Sequence, residues 1–231
     1  MTRTSITSVI LPVFNGEAHI AAALNSILDQ LSADDEVLVV DDASTDGTTE
    51  VVSSFLPRVT LLRGNGSGPA AARNIGLAVA RGDFIAFLDH DDLWPRDRHR
   101  CLLSALLSDD GADAAVGRVR IQYDAPETDP FHDGIDGHHH TSILPSCLYR
   151  RRLIDIVGNF DPTLRYGEDY DYYLRQLETG MAIVQCDVDS LIYRRHDRNI
   201  TLDAPPRSVT LLQVLSRKVA RRRSLTSQSG M

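Results

Sequence analysis

Three carboxylates stand within four positions at the end of a short apolar run. Phe84–Leu88 is apolar throughout, and Asp89, Asp91 and Asp92 follow it almost at once. A run of this kind predicts a fully buried parallel strand. Carboxylates crowded at its end repel one another unless a cation lies among them, and Mg²⁺ or Mn²⁺ prefers such oxygen ligands. Because ligands of open α/β sheets bind beyond the carboxyl ends of the strands, the cluster predicts a metal–diphosphate site.

The elements that would position this cluster alternate regularly through the first half of the chain. Apolar runs predict strands, and apolar residues at helical spacing predict the helices between them. The resulting βαβαβαβ order predicts an α/β fold with a mostly parallel sheet and right-handed crossovers. The predicted elements are strand Ile6–Phe14, helix His19–Gln30, strand Glu36–Val40, a short helix ending near Phe55, strand Val59–Leu62, an alanine-rich helix from the Gly64–Pro69 turn through Ala80, and strand Phe84–Leu88.

The second half is less regular. Helices are predicted over Pro95–Ser108 and Tyr166–Thr179, and strands over Ala112–Tyr123 and Met181–Asp187. The polar segment Asp124–Thr141 is rich in Pro, Gly, Asp and His and predicts a surface loop. Its histidines, His132 and His138–His140, are more typical of a solvated loop than of a metal site.

Composition and charge exclude several classes of protein. The chain has 231 residues, 42% of them hydrophobic, which suits one α/β domain with a substantial core. Its net charge of −8 argues against binding to nucleic acid. The three cysteines, Cys101, Cys147 and Cys186, are far apart and predict reduced thiols in a cytoplasmic protein. Neither a signal peptide nor a membrane span is predicted.

The C-terminal tail, residues 205–231, has a different character. Its apolar residues alternate with the cations Arg217-Lys218 and Arg221–Arg223, which leave the rest of the chain at −13 (−8 minus 5). Such a basic amphipathic segment predicts peripheral contact with an anionic membrane, at the inner face for a cytoplasmic protein.

Six segments, taken in order, resemble family 2 glycosyltransferases of the GT-A fold. Each is a weak match alone, whereas six in register identify the chain as a member of the family. The resemblance implies one domain over 1–204, with a nucleotide-sugar-binding half (1–95) and an acceptor-binding, catalytic half (96–204). The segments are Leu11–Asn15, Val40–Thr48, Ala72–Gly76, Asp89–Pro95, Val157–Asp161 and Glu168–Asp171.

The resemblance implies a nucleotide-sugar donor, with a UDP-sugar expected. The ends of the first two strands would surround the nucleoside, and Asp42 is the better candidate for the base contact because a carboxylate can accept a base N–H. Asp41 and Asp42 would otherwise read as part of a strand-to-helix turn, where Asp is common. The implied donor-binding residues are Pro12, Val13, Phe14, Asn15, Glu17, Asp41, Asp42, Ser44, Arg73, Asp89 and His90.

The acidic cluster resembles the DxD motif of the family. The resemblance makes Asp91 a direct ligand of Mn²⁺ or Mg²⁺ and gives Asp89 a contact with ribose or a metal-bound water. His196 stands where many members place a histidine that contacts metal or phosphate, although a lone histidine is as often structural. Arg73 would neutralise the diphosphate as the sugar bond breaks, unless it is an ordinary helix-surface cation.

Glu168-Asp169 resembles the acidic pair of the acceptor site. Inverting transfer needs a carboxylate that removes the proton of the attacking hydroxyl, and Asp169 fits that role. Glu168 would shape the acceptor pocket or support the base. Asp169 could equally cap the helix that begins beside it, and the two roles are compatible.

The expected activity is metal-dependent, inverting and non-processive, in the synthesis of a polysaccharide, glycolipid or other glycoconjugate. Processive members carry a Gln-x-x-Arg-Trp motif after the base, whereas the one tryptophan here is Trp94. The acceptor, lipid-linked or saccharide, would be held by the Asp124–Thr141 loop, the Glu168–Tyr173 helix, the tail or the second subunit of a homodimer. A sugar nucleotidyltransferase and an inactive nucleotide-sugar binder are the alternatives.

Overall fold

The structure is a computed structural model that describes residues 5–124, 138–139, 143–197 and 207–228. Strands and helices alternate up to β4, as the sequence predicts. In chain order the elements are β1 (Thr7–Val13), α1 (Ile20–Leu28), β2 (Glu36–Asp41), α2 (Thr48–Ser53), β3 (Thr60–Arg63), α3 (Pro69–Val79), β4 (Phe84–Phe87), α4 (Arg98–Ser108), β5 (Ala114–Tyr123), β6 (His138–His139), β7 (Cys147–Arg150), α5 (Arg151–Val157), α6 (Glu168–Glu178), β8 (Ile183–Arg195) and α7 (Arg207–Gln228).

One eight-stranded sheet runs through the described part of the chain. Its order is β3-β2-β1-β4-β7-β5-β6, and β8 pairs with β5. The strands β3, β2, β1 and β4 are parallel, β7 is antiparallel to both β4 and β5, and β8 is parallel to β5. The predicted α/β class, with a parallel sheet through the first half of the chain, is therefore confirmed.

Helices cover both faces of the sheet because the central strands are apolar on both sides. All seven residues of β1 are buried, and successive residues face opposite cores. Val9 and Leu11 belong to a core with α1, α2 and α4, whereas Ile10 packs in a second core with α3, α5 and α6. The buried face of α1 consists of the predicted residues Ile20, Ala23, Leu24, Ile27 and Leu28.

Among the described elements of the second half, β6, β7 and α5 were not predicted, and β8 is longer than predicted. β7 has four residues and passes directly into α5, so no turn residue separates them in the sequence. β8 continues to Arg195, well beyond the predicted end at Asp187. Arg118 of β5 forms ion pairs with Asp187 and Asp189, so these acidic residues are accommodated within a strand rather than ending it.

The predicted Asp124–Thr141 loop lies almost entirely outside the described residues. Only β6 is described within it beyond Asp124, and β6 pairs with Val119 and Arg120 of β5. His132 and the side chains of His138–His140 also lie outside the description. The tail forms α7, which packs on α6 with Val214 fully buried. Among the described residues, no helix is long and apolar enough to cross a bilayer.

Candidate active site

The acidic cluster is held at the carboxyl edge of the sheet by the end of β8. Leu93 and Ile192 form an isolated antiparallel bridge through two backbone hydrogen bonds of 3.1 and 2.9 Å. The Arg194 side chain donates from Nε to the carbonyl oxygen of Asp91. This pairing places the residue after β8, His196, beside Asp91, although 105 positions separate them in the sequence.

Asp91 and His196 form the centre of the cluster. The two atoms Asp91 Oδ2 and His196 Nε2 are 3.1 Å apart. Burial raises the pKa of Asp91, but the His196 hydrogen bond and the nearby charge of His90 outweigh it and leave that pKa below its ordinary value. His19 stacks on His196 with ring centroids 4.6 Å apart. Burial and the charge of His196 lower the pKa of His19.

Asp92 is buried behind this pair. Its Oδ1 accepts the backbone N–H of Arg194 at 2.9 Å, while its Oδ2 has no hydrogen-bond partner among the described residues. Burial, followed by the charges of Asp91 and Asp89, raises its pKa well above the ordinary range. The repulsion expected from the sequence is therefore present at this edge of the sheet.

Arg73 joins the acidic cluster to α6. Its Nη2 donates to Asp89 Oδ1 at 2.7 Å, and its Nη1 donates to Glu168 Oε1 at 2.8 Å. The side chain is only 5% exposed and lies over the Phe160 ring at 5.6 Å. Burial lowers the pKa of Arg73, but the two carboxylates raise it above the ordinary value, so the guanidinium stays charged. Burial raises the pKa of Glu168, and the Arg73 charge opposes that shift.

Asp169 lies beside this pair, in the first turn of α6 and partly exposed. Its Oδ1 accepts the N–H of Tyr170 at 2.7 Å, one of the first-turn N–H groups that lack an intrahelical partner, whereas the N-cap position is occupied by Gly167. Gly167 begins the helix with a positive φ of 74°, and this glycine conformation turns the chain into the first turn. Asp169 is thus a partly exposed carboxylate next to a buried, charge-compensated one.

The ends of β1 and β2 form the other side of the site. Asn15 donates its N–H to Ser44 Oγ at 2.9 Å and accepts the Thr45 N–H at 2.8 Å. Glu17 accepts the Gly47 N–H at 3.0 Å. These contacts fix the two loops against each other. Phe14 is 54% exposed at the end of β1, where it offers an aromatic face to a ligand.

The two aspartates after β2 have separate contacts. Asp41 is fully buried and accepts the Ser44 N–H, the Thr49 hydroxyl and Arg63 Nη1, at 2.9, 2.7 and 2.6 Å. Burial raises its pKa, but these contacts together lower it below the ordinary value. Asp42 accepts the N–H groups of Gly66 and Gly68 at 2.9 and 2.7 Å. Both carboxylates thus shape the loops of the site in this structure.

The remaining predicted donor residues support this edge of the sheet. Pro12 and Val13 are buried within β1, opposite Val40 and Asp41 of β2. The His90 ring lies directly against Gly16, where a Cβ atom would come within 2.5 Å of His90 Cδ2. All the predicted site residues therefore lie at or beside the carboxyl ends of β1, β2, β4 and β8, or on the two helices joined by Arg73.

The cluster suits a divalent cation that also binds a substrate. Asp91 and His196 each offer a metal-ligating atom, and the 3.1 Å contact between Asp91 Oδ2 and His196 Nε2 is a hydrogen bond that a cation bound by both atoms would replace. The crowded Asp92 carboxyl would be relieved by such a positive charge nearby. No group of three His, Cys, Asp or Glu side chains in the described residues could hold a metal alone. Substrate phosphates would complete such a coordination shell.

Two residues of the site were missed in the sequence. His19 precedes α1 and Arg194 lies in β8, and neither belongs to a segment that resembles the family motifs. The pairing of β8 with the acidic segment brings Arg194 to Asp91, and it brings His196 against the ring of His19. No periodicity or spacing in the sequence signals this long-range contact.

The family model for glycosyl transferase family 2 matches residues 8–167, more than two thirds of the chain. The chain belongs to this family.

Related sequences are also named glycosyltransferases. The chain is 34% identical over 187 residues to TuaG of Bacillus subtilis, a glycosyltransferase assigned to teichuronic acid biosynthesis, and the match covers 77% of this chain and 74% of TuaG. It is 41% identical over 104 residues to WfgD of Escherichia coli, a UDP-Glc:alpha-D-GlcNAc-diphosphoundecaprenol beta-1,3-glucosyltransferase, a match that covers 44% and 41% of the two chains.

Two solved structures share the fold of this glycosyltransferase domain. The mannosyltransferase PcManGT of Pyrobaculum calidifontis, in complex with GDP-Man and Mn²⁺, aligns with a TM-score of 0.71 at 22% identity and covers 94% of this chain and 64% of its own. S. aureus TarS in complex with UDP-GlcNAc aligns with a TM-score of 0.68 at 21% identity and covers 87% and 62%. The chain thus spans less than two thirds of either structure, and their likeness establishes the GT-A fold.

Proposed function

We propose that this family 2 glycosyltransferase is metal-dependent and inverting, and that it transfers one sugar from a UDP-sugar to an acceptor hydroxyl. The observation that carries the proposal is the double ion pair of Arg73, which joins Asp89 of the acidic segment to Glu168 beside the candidate base. A donor-binding carboxylate and an acceptor-side carboxylate are thereby held on one buried cation.

The donor end of the proposal rests on the loops after β1 and β2. Exposed Phe14 would stack on the base, and the loop pair fixed by Asn15 and Ser44 would surround the ribose. UDP is favoured because WfgD is named for UDP-Glc and the S. aureus TarS structure holds UDP-GlcNAc. PcManGT holds GDP-Man, so a GDP-sugar is the competing donor.

Asp91 and His196 are the proposed protein ligands of Mn²⁺ or Mg²⁺, and Asp89 would contact the ribose or a metal-bound water. When bound, the cation would neutralise charge on the departing nucleoside diphosphate. Asp169 would accept the proton of the acceptor hydroxyl as that oxygen attacks the anomeric carbon. Arg73 would fix the distance between the metal site and Asp169, since its two Nη atoms bind Asp89 and Glu168 beside them.

We also retain the proposal of contact between the tail and an anionic membrane. Leu211, Leu212, Leu215 and Val219 are exposed on one face of α7, and the helix carries six cations without an acidic residue. Arg217, Lys218 and Arg221 instead face carboxylates of the domain. The apolar face of α7 would therefore contribute more to membrane binding than the sequence suggested. For a protein in the cytoplasm, as the sequence predicts, such contact would be with the inner face of the membrane.

Vesicle flotation tests the membrane contact. Leu212→Asp/Leu215→Asp should abolish binding to phosphatidylglycerol vesicles, whereas Leu107→Asp, an exposed leucine on α4, should leave binding unchanged. Wild-type protein that stays off the vesicles but self-associates through these leucines would instead assign the face to a second copy of the chain.

A thermal-shift panel of nucleotide-sugars with and without Mn²⁺ tests the donor proposal. A ligand at 100 times its Kd stabilises the folded state by about 2.7 kcal/mol, so a specific donor is readily seen. UDP-sugars should raise the melting temperature only with Mn²⁺, and Asp91→Asn should remove the effect. Stabilisation by UDP-sugars that is equal without metal would contradict the metal assignment.

A further inference from the structure

A fully buried guanidinium, that of Arg98, lies at the start of α4 and has no part in the chemistry proposed above. Its hydrogen bonds go to main-chain carbonyls rather than to a carboxylate. Nε donates to Ser190 at 2.9 Å, and Nη2 donates to Cys147 at 2.8 Å and to Pro145 at 3.2 Å. Cζ lies over the Trp94 ring, 4.0 Å from its centre. Carbonyl dipoles and one aromatic face thus surround the charge.

Such an arrangement costs free energy to build. A buried cation that binds only neutral acceptors does not recover all the hydration that it loses. Burial accordingly lowers the pKa of Arg98 to about 9, which still leaves the guanidinium charged at neutral pH. An apolar side chain of similar volume would fill the space without this cost. The charge at this position therefore indicates a role in fixing the groups that it contacts.

Two of those groups flank the bridge between the acidic segment and β8. Trp94 directly follows Leu93, and Ser190 precedes Ile192 by two positions. Leu93 and Ile192 are the two partners of the isolated antiparallel bridge. The Arg98 side chain therefore contacts both sides of the bridge, an aromatic ring on the acidic side and a carbonyl on the β8 side.

The bridge in turn sets the position of His196 relative to Asp91. Asp91 is two residues before Leu93, and His196 is four residues after Ile192. A shift of β8 by one residue would move the chain at His196 by about 3.3 Å, which is more than the hydrogen bond to Asp91 tolerates. The third contact, the Cys147 carbonyl, lies at the start of β7, which pairs with β4 ahead of the acidic segment. The guanidinium thus joins three chain segments around the Asp91–His196 pair.

We propose that Arg98 is a positioning residue for the metal site, and that its guanidinium fixes the register in which β8 brings His196 to Asp91. The planar fork suits this role because its Nε and Nη2 donors bind carbonyls of two different strands at once. The inference rests on the proposed assignment of Asp91 and His196 as metal ligands. It adds a residue that contacts neither donor nor metal and on which metal binding depends.

Calorimetric titration with UDP, in the presence and absence of Mn²⁺, tests the effect on binding. Arg98→Met should weaken Mn²⁺-dependent UDP binding at least about tenfold, because it removes a group that orients metal ligands. Metal-free UDP binding should stay within about twofold of wild type, because the loops after β1 and β2 are proposed to hold the nucleoside. Arg98→Lys keeps a cation but lacks the planar fork, and it should weaken Mn²⁺-dependent binding at least about threefold.

Arg150→Met is the matched control. Arg150 also donates to backbone carbonyls, those of Leu106 and Ala112, and its Cζ lies over the Phe84 ring at 5.5 Å. Phe84 begins β4, at the opposite end of the strand from the acidic segment. Arg150→Met should therefore keep Mn²⁺-dependent UDP binding within about twofold of wild type, even where it lowers stability.

Amide hydrogen exchange tests the bridge without any ligand. The N–H groups of Leu93 and Ile192 form its two hydrogen bonds. They should exchange at least about tenfold faster in Arg98→Met than in wild type or Arg150→Met. Wild-type exchange at both amides, or wild-type Mn²⁺-dependent UDP binding in Arg98→Met, would overturn the proposal.

Two further outcomes keep the test decisive. If Arg98→Met does not fold, the same two measurements on Arg98→Lys decide, and wild-type values in both would overturn the proposal. If Mn²⁺ does not strengthen UDP binding in wild type, the metal assignment fails, whereas the exchange rates of Leu93 and Ile192 still show whether Arg98 fixes the register.

Discussion

Arg73 Nη1 lies 2.8 Å from Glu168 Oε1, and this ion pair links residues 95 positions apart. The same guanidinium binds Asp89, so α3 ties the acidic segment after β4 to the start of α6. A cation expected to contact the donor diphosphate therefore contacts two carboxylates of the chain in this structure. Its burial makes it a positioning residue for the groups on either side.

Arg73→Met should lower the free energy of unfolding by about 3 kcal/mol, because it leaves Glu168 buried without its cation. Urea denaturation measures this change. The control is Arg81→Met, whose pair with Glu36 is largely exposed on the arginine side and should cost less than about 1 kcal/mol. An Arg73→Met variant as stable as Arg81→Met would show that the bridge does not hold α6 in place.

His19→Ala should weaken Mn²⁺-dependent UDP binding about tenfold, because the His19 ring orients His196 by stacking on it. His19→Phe keeps an aromatic face and should stay within about threefold of wild type. Titration of each variant with UDP, in the presence and absence of Mn²⁺, measures this difference. If both bind Mn²⁺–UDP as wild type does, His19 does not position His196.

Acid should weaken the fold through His99, which lies in the first turn of α4 and stacks on Trp94. Burial, aided by the charge of Arg98, lowers the pKa of His99 to about 4 from its ordinary value of 6.5. Between these values the unfolded chain binds a proton that the folded chain does not, so this contribution to stability is lost as the pH falls from 6.5 towards 4. The loss amounts to about 3 kcal/mol.

His99→Phe removes this titration and keeps an aromatic ring against Trp94. Urea denaturation at pH 7.0 and pH 4.5 should show a smaller acid-induced loss in the variant than in wild type. An equal loss in both proteins would mean that His99 takes up its proton in the folded state.

The sequence predicts the fold of the first half of the chain well because that half depends on local patterns. Each buried strand there is a contiguous apolar run, and each ends at the same edge of a parallel sheet. This is enough to bring Asp42, Arg73 and Asp91 to one edge. The α1 face was predicted to the residue, since helical periodicity alone determines it.

The contacts within the site depend on pairings that local patterns do not encode. β8 extends past its acidic residues because Arg118 pairs with them, and only then does His196 reach Asp91. Similarly, nothing near Arg73 in the sequence indicates that Glu168 and Asp89 both bind it. Asp42 was predicted at the nucleoside, and the structure places its carboxylate on the glycine turn after β3.

Release of UDP from a UDP-sugar, measured in parallel with UDP binding, tests most directly the proposal that Asp91 binds the metal and Asp169 is the base. Wild type with Mn²⁺ should release UDP from the UDP-sugar, and it should release no pyrophosphate when given UTP and a sugar 1-phosphate. Asp91→Asn should lose both release and Mn²⁺-dependent binding, whereas Asp169→Asn should bind UDP as wild type does and turn over at least about 100-fold more slowly. Pyrophosphate release from UTP and a sugar 1-phosphate, or an Asp169→Asn variant that turns over at the wild-type rate, would contradict the proposed mechanism.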